Sequence, residues 1–239
     1  MARKPSDRIP LGEAGLRAAK RRFREIFPGG FRDRTYLDWE RDYKWAAHRA
    51  WQATLGRAEW QRLLAEGAHA EVAKRIATFY ARSKLNMLAL YEWMALREAL
   101  EDPAGGQALA TGLYDLIHGD REGERDFGVW LERFAALLDR VPQRQTRLAK
   151  WPVATLFPFV ALPKRHLILK PRLMKRASER FHFDLAYQSR PNATTYAAMM
   201  RFVGWLEREL ASWKPRDLID IQGFIWVTAS EEYEDWPWE

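Results

Sequence analysis

From Trp151 to Asn192 the chain reads WPVATLFPFVALPKRHLILKPRLMKRASERFHFDLAYQSRPN, an apolar half followed at once by a basic half. Between Lys164 and Arg180, seven cations (Lys164, Arg165, Lys170, Arg172, Lys175, Arg176 and Arg180) face one acid, Glu179, for a net charge of +6, close to the formal +7 of the whole chain. Prolines at 152, 158, 163 and 171 divide the backbone, because proline has no N–H to donate and clashes with the preceding helical turn. Pro152 and Pro171 can still open helices at the first helical position. The pattern predicts short elements that wedge an apolar plug (Val153, Leu156, Phe157, Phe159, Val160, Leu162) into a core and turn cations outward.

A chain of 239 residues suits one large domain or two small ones and can bury most of its apolar surface without staples. With no cysteine, disulfide frameworks, thiolate metal sites, iron–sulfur clusters and thiol nucleophiles are all excluded. No run of eighteen apolar residues and no leader pattern is present, so a cytoplasmic protein is expected. The sequence pI of about 9.7 favours an acidic partner such as nucleic acid. Twelve tryptophans, several beside Arg or Glu in amphipathic stretches, read as core anchors with their N–H groups satisfied at a margin rather than as base-stacking plates.

Residues 1–10 carry Arg3, Lys4 and Arg8 with two prolines and are expected to form a mobile basic arm. Leu16, Ala19, Phe23 and Ile26 then step by three and four, and the opposite face of that helix carries Arg17, Lys20, Arg21, Arg22 and Arg24. Pro28-Gly29-Gly30 stops it. A second helix over Asp33–Leu55 is capped by Asp33 and places Glu40, Lys44 and His48 on one stripe, which reads as an ion-pair ladder, with an acid–base or metal site as the rival. A helix over 57–65 follows, and the periodic run from Ala70 to Leu100 is too long for one helix and is expected to break near Ser83–Asn86. Glu101-Asp102-Pro103-Ala104-Gly105-Gly106 reads as a linker, which divides the chain into helical subdomains 11–102 and 107–230. Helices are expected around Leu109–Ile117 and over Glu122–Val141. Asn192 is placed to cap a core-facing helix through Tyr196, Met199, Val203, Leu206 and Leu210. The segment after Pro215 fits a helix better than a strand, and the tail 231–239 is acidic and expected to be solvated, with docking on a basic face as the alternative.

The fold class is therefore mainly α, an irregular multi-helix bundle with at most short strands near 166–169 or 219–227. The chain lacks a phosphate-binding P-loop, an H-E-x-x-H zinc motif and a G-x-S-x-G elbow. Its five histidines are scattered. Asp184, or Asp217 with Asp220, leaves a metal-dependent nuclease as a second alternative. The leading expectation is a non-enzymatic nucleic-acid-binding protein without cofactor or metal, of the kind found as a subunit of bacterial DNA- or RNA-processing or defence complexes. Phosphate contacts are assigned to Lys164, Arg165, Lys170, Arg172, Lys175 and Arg176, extended by Arg17, Lys20, Arg21 and Arg24, while Tyr187 and Arg190 approach a base or sugar. The first alternative is an adaptor that docks a protein through its apolar, Trp-rich surface.

Overall fold

The computed structural model describes residues 12–119, 127–142 and 146–234. Among these the regular structure is helical and there is no strand, as the periodicity predicts. The basic arm over 1–10, residues 122–126 of the Glu122–Val141 helix and residues 235–239 of the tail lie outside the described residues.

Helix α1 (Glu13–Ile26) buries Leu16, Ala19, Phe23 and Ile26 and is followed by a short 3-10 turn. Asp33 caps α2 (Arg34–Tyr36), accepting from the Thr35 N–H at 2.9 Å. The chain continues through a π-helical segment, Leu37–Arg41, into α3 (Asp42–Leu55). The wider π turn carries both Glu40 and Arg41 into the interior. Helices α4 (Arg57–Ala65), α5 (His69–Arg82), α6 (Leu90–Glu101), α7 (Pro103–His118) and α8 (Phe127–Leu138) form the next layer, with α7 packed on both α5 and α6. The break between α5 and α6 falls at 83–89, over the stretch where the polar residues interrupt the pattern.

Two helices are apolar nearly all round, and each forms the centre of a group. All eleven residues of α9 (Trp151–Ala161) are buried, and α9 lies against α3, α7 and α8. Helix α12 (Leu218–Ala229) is buried except for Trp226, and α1, α10 (Pro171–Phe181), α11 (Ala193–Glu209) and the π segment pack on it. A helix without a polar face has no stable place except inside a core. Asn192 caps α11 through the Thr195 N–H at 2.9 Å, and Asp217 caps α12 through the Ile219 N–H at 3.0 Å. The buried residues of both groups form one contiguous core.

The prolines divide the chain less than their number predicts. Pro171 opens α10 and Pro152 lies in the first turn of α9, but Pro158 sits inside α9, where burial of every side chain outweighs one lost ladder bond. The supposed linker at 101–106 is likewise the turn from α6 into α7. Asp102 caps α7 by accepting from the Gly105 N–H at 2.7 Å, and Pro103 is at its start. A Cβ on Gly105 would lie 2.3 Å from the Ala99 carbonyl oxygen, so glycine is what lets α7 begin against the end of α6.

Trp51, Trp60 and Trp151 are core residues, as expected. The Trp151 indole donates to the Gln188 carbonyl at 2.7 Å, but those of Trp51 and Trp60 have no acceptor among the described residues. Both sit inside an aromatic cluster, with Trp51 packed edge-on to Trp60 at 5.6 Å.

A basic cleft where three helices begin

Helices α6, α9 and α10 all start on the wall of one cleft of about 760 Å³. Its lining includes Ala89, Leu90 and Tyr91 at the head of α6, Lys150, Trp151 and Pro152 at the head of α9, and Lys170, Pro171 and Arg172 at the head of α10. No side chain caps α9 or α10. Helix starts expose N–H groups and the positive end of the macrodipole, so the cleft gathers partial positive charge from the backbone before any side chain is counted. Glu92 opposes this locally: it is buried and reaches back to accept from the Ala89 N–H at 2.9 Å, the half of a capping box that an alanine at the N-cap allows.

The lining adds Lys150 and Lys170, and Lys175 stands just outside it, each against an aromatic ring. The Lys150 ammonium lies 4.3 Å from the centre of the Tyr91 ring, that of Lys170 lies 4.8 Å from the Trp226 ring, and that of Lys175 lies 4.2 Å from the Tyr187 ring. Arg172 is exposed at the rim. Burial pushes the Lys170 ammonium below the usual lysine range; Glu92 and Glu232 pull it back up, and the charge of Lys44 adds to the depression. Burial also pushes the Tyr187 hydroxyl up, which keeps it protonated and able to donate.

The loops that carry the two walls are held in left-handed backbone at Asn86 (φ 36°) and Ala186 (φ 46°). Asp184 accepts from the Ala186 N–H at 2.7 Å and the Thr195 hydroxyl donates to the Ala186 carbonyl at 2.7 Å, so Tyr187 leaves a fixed turn. Such conformations in a non-glycine residue persist where surrounding bonds determine them.

Of the residues expected to contact nucleic acid, Lys170, Arg172 and Tyr187 line this cleft, and Lys175 stands beside it against the Tyr187 ring. Lys150 and Tyr91 were not among them. Lys164 and Arg165 are exposed at the opposite end of α9, about 16 Å away for a helix of eleven residues, in a second cleft of about 640 Å³ with Trp45, His48 and Arg57. Arg176 is bound by the tail, through Glu231 at 2.7 Å and Glu234. Arg190 pairs with Asp139 at 2.9 Å.

The cations of α1 do not extend the cleft. Gly15 packs against the Arg180 carbonyl, where a Cβ would lie 2.1 Å from the oxygen, so α1 meets the far end of α10. Arg17 and Arg21 face Glu13 and Glu25 at 3.7 and 3.9 Å, Lys20 donates to the Glu209 carbonyl at 2.7 Å, and Arg24 donates to the Pro28 carbonyl at 2.7 Å.

The Glu40–Lys44–His48 stripe holds the expected ion pair between Glu40 and Lys44, but the ladder stops there. Lys44 and Glu40 form a buried pair at 2.9 Å, and burial pushes the Lys44 ammonium down against the pull of Glu40. His48 turns away to bond the Val160 carbonyl through Nδ1 at 2.8 Å. Among the described residues no group of three His, Asp or Glu side chains is arranged to hold a metal ion. Asp217 and Asp220 face Arg41 at 2.8 and 3.0 Å, and Asp220 also accepts from Tyr36 and Arg216, so both carboxylates are spent on protein cations and hydroxyls. The described part of the tail docks through Tyr233, which is 2% exposed and donates to Glu40 at 2.7 Å while Arg22 donates to its carbonyl at 2.8 Å, and leaves Glu231, Glu232 and Glu234 exposed.

Comparison with protein-family models, with curated proteins and with solved structures returned no match.

Proposed function

We propose that the protein binds nucleic acid by its phosphate backbone, seated in the cleft at the heads of α6, α9 and α10. One observation carries the reading: three helix starts open into a cleft that also holds Lys150, Lys170 and Arg172. Backbone N–H groups and cations converging on one concavity suit a phosphate. The net charge of +7 raises the local concentration of a polyanion around the molecule and speeds its encounter. No chemical step is assigned to the cleft, whose described cations and hydroxyls serve as donors. The assembly role in a DNA- or RNA-handling complex belongs to this proposal as its biological setting.

The adaptor reading has one specific observation in its favour. Leu90 is 74% exposed and Met94 46%, and the two lie one turn apart on α6, with Leu90 on the cleft wall. An apolar strip there suits a protein partner as well as it suits a base.

The experiment is oligonucleotide binding by fluorescence anisotropy at low salt, with wild type, a Lys150→Gln/Arg172→Gln variant and a Lys164→Gln/Arg165→Gln variant. The first variant is expected to lose most of the affinity and the second to retain it. Absence of binding by the wild-type protein at low salt would overturn the nucleic-acid reading and leave the adaptor reading standing.

A further inference from the structure

We infer that the cleft takes a single strand with accessible bases rather than a duplex. This rests on the nucleic-acid reading above and deepens it, and it is carried by a different observation, the alternation of cations with aromatic rings. Tyr91 and Tyr187 line the cleft with Lys150, Lys170 and Arg172, and each ring carries an ammonium within 5 Å of its centre, that of Lys150 on Tyr91 and that of Lys175, just outside the lining, on Tyr187. A cation on one face of a ring polarises it and leaves the other face for a partner. Tyr91 is 54% exposed on one wall of the cleft, and Tyr187 lines the other.

This arrangement matches what an unpaired strand offers. Its phosphates and bases alternate along the chain, so cations meet phosphates while rings meet base faces, with little dependence on sequence because every base has a π-face. A duplex hides those faces in its own stack and presents phosphates and groove edges. Tyr91 and Tyr187 would then have nothing to stack on, and the exposed Leu90 on the cleft wall would face phosphate. Size points the same way: about 760 Å³ falls in the range of sites that enclose a small ligand, enough for one or two nucleotides and too small to enclose a double helix.

The test compares a labelled single-stranded oligonucleotide, the same sequence as a duplex, and a strand of equal length with abasic sites, at one salt concentration. Wild type is expected to bind the single strand on the order of tenfold more tightly than either of the others. Tyr91→Ala is expected to lower single-strand affinity by roughly five- to a hundredfold and duplex affinity by much less, and Tyr91→Phe to restore single-strand affinity. Tyr91 is exposed, so these variants probe the ligand and not the core. Equal binding of duplex and single strand, or equal binding of the abasic strand, would overturn the single-strand assignment while the phosphate reading stood. Failure of all three oligonucleotides to bind would overturn the phosphate reading itself.

Discussion

Tyr233 donates its hydroxyl to Glu40 at 2.7 Å, and the same carboxylate accepts from Lys44 at 2.9 Å, so one buried acid ties the C-terminal tail to the π segment of the second helix. Burial, then the charge of Glu40, pushes the Tyr233 hydroxyl well above its usual range, so it stays a donor at every working pH. Tyr233→Phe removes a donor to a buried charge and is expected to cost about 1–3 kcal/mol, read by urea denaturation. Glu231→Gln with Glu234→Gln frees Arg176 from the tail and is expected to raise nucleic-acid affinity with little change in stability, since exposed pairs contribute little. Unchanged affinity would show that the tail charge does not compete with a ligand.

Asp217→Ala is expected to be among the most damaging single changes. Arg41 grips Asp217 through two bonds of 2.8 Å, both side chains are buried, and the same carboxylate caps α12. Removing it leaves a guanidinium in the core with only Asp220, at a cost of about 3–5 kcal/mol. Replacing both partners with apolar residues, Arg41→Met with Asp217→Leu, is expected to cost less than the single change. Thermal unfolding of wild type and the two variants measures this.

Lys170 predicts a pH dependence. Burial lowers its folded-state pKa below the ordinary lysine value of 10.5. Between the lowered pKa and 10.5 the unfolded chain binds more protons, so this group's contribution to stability rises with pH across that window. Anion affinity runs the other way, because the cleft loses a charge as pH rises through the lowered pKa. Lys170→Arg stays charged and is expected to abolish that alkaline loss of affinity. An unchanged profile would place Lys170 outside the contact.

The helices were legible because their apolar residues repeat by three and four, and the caps at Asp33 and Asn192 because acceptors stand just before those repeats. Residues 101–106 misled because Asp, Pro and Gly mark a helix start as readily as a linker, and only the packing of Gly105 on Ala99 decides between them. The π turn left no sequence signal, so the burial of Glu40 and Arg41 was invisible. At the cleft, Lys170, Arg172 and Tyr187, with Lys175 beside them, came from a dense basic run followed by an aromatic residue. Lys150 and Tyr91 are isolated in sequence and reach the cleft only because their helices begin there. The signal for Lys150 was its place directly before Trp151-Pro152, a helix start. Charge density counted Arg176 and the α1 cations equally with the rest, since it carries no information about which acids fold onto them.

The most direct measurement is the salt dependence of single-strand binding for wild type and for Lys150→Gln/Arg172→Gln/Lys175→Gln, with thermal stability recorded for both. Each phosphate contact contributes about 0.7 to the slope of log affinity against log salt for a single strand, so the triple variant is expected to flatten the slope by about 2 and to weaken binding steeply at low salt. Its melting temperature is expected to stay close to that of wild type. A folded triple variant with unchanged affinity and unchanged slope would contradict the assignment of the cleft as the phosphate-binding surface.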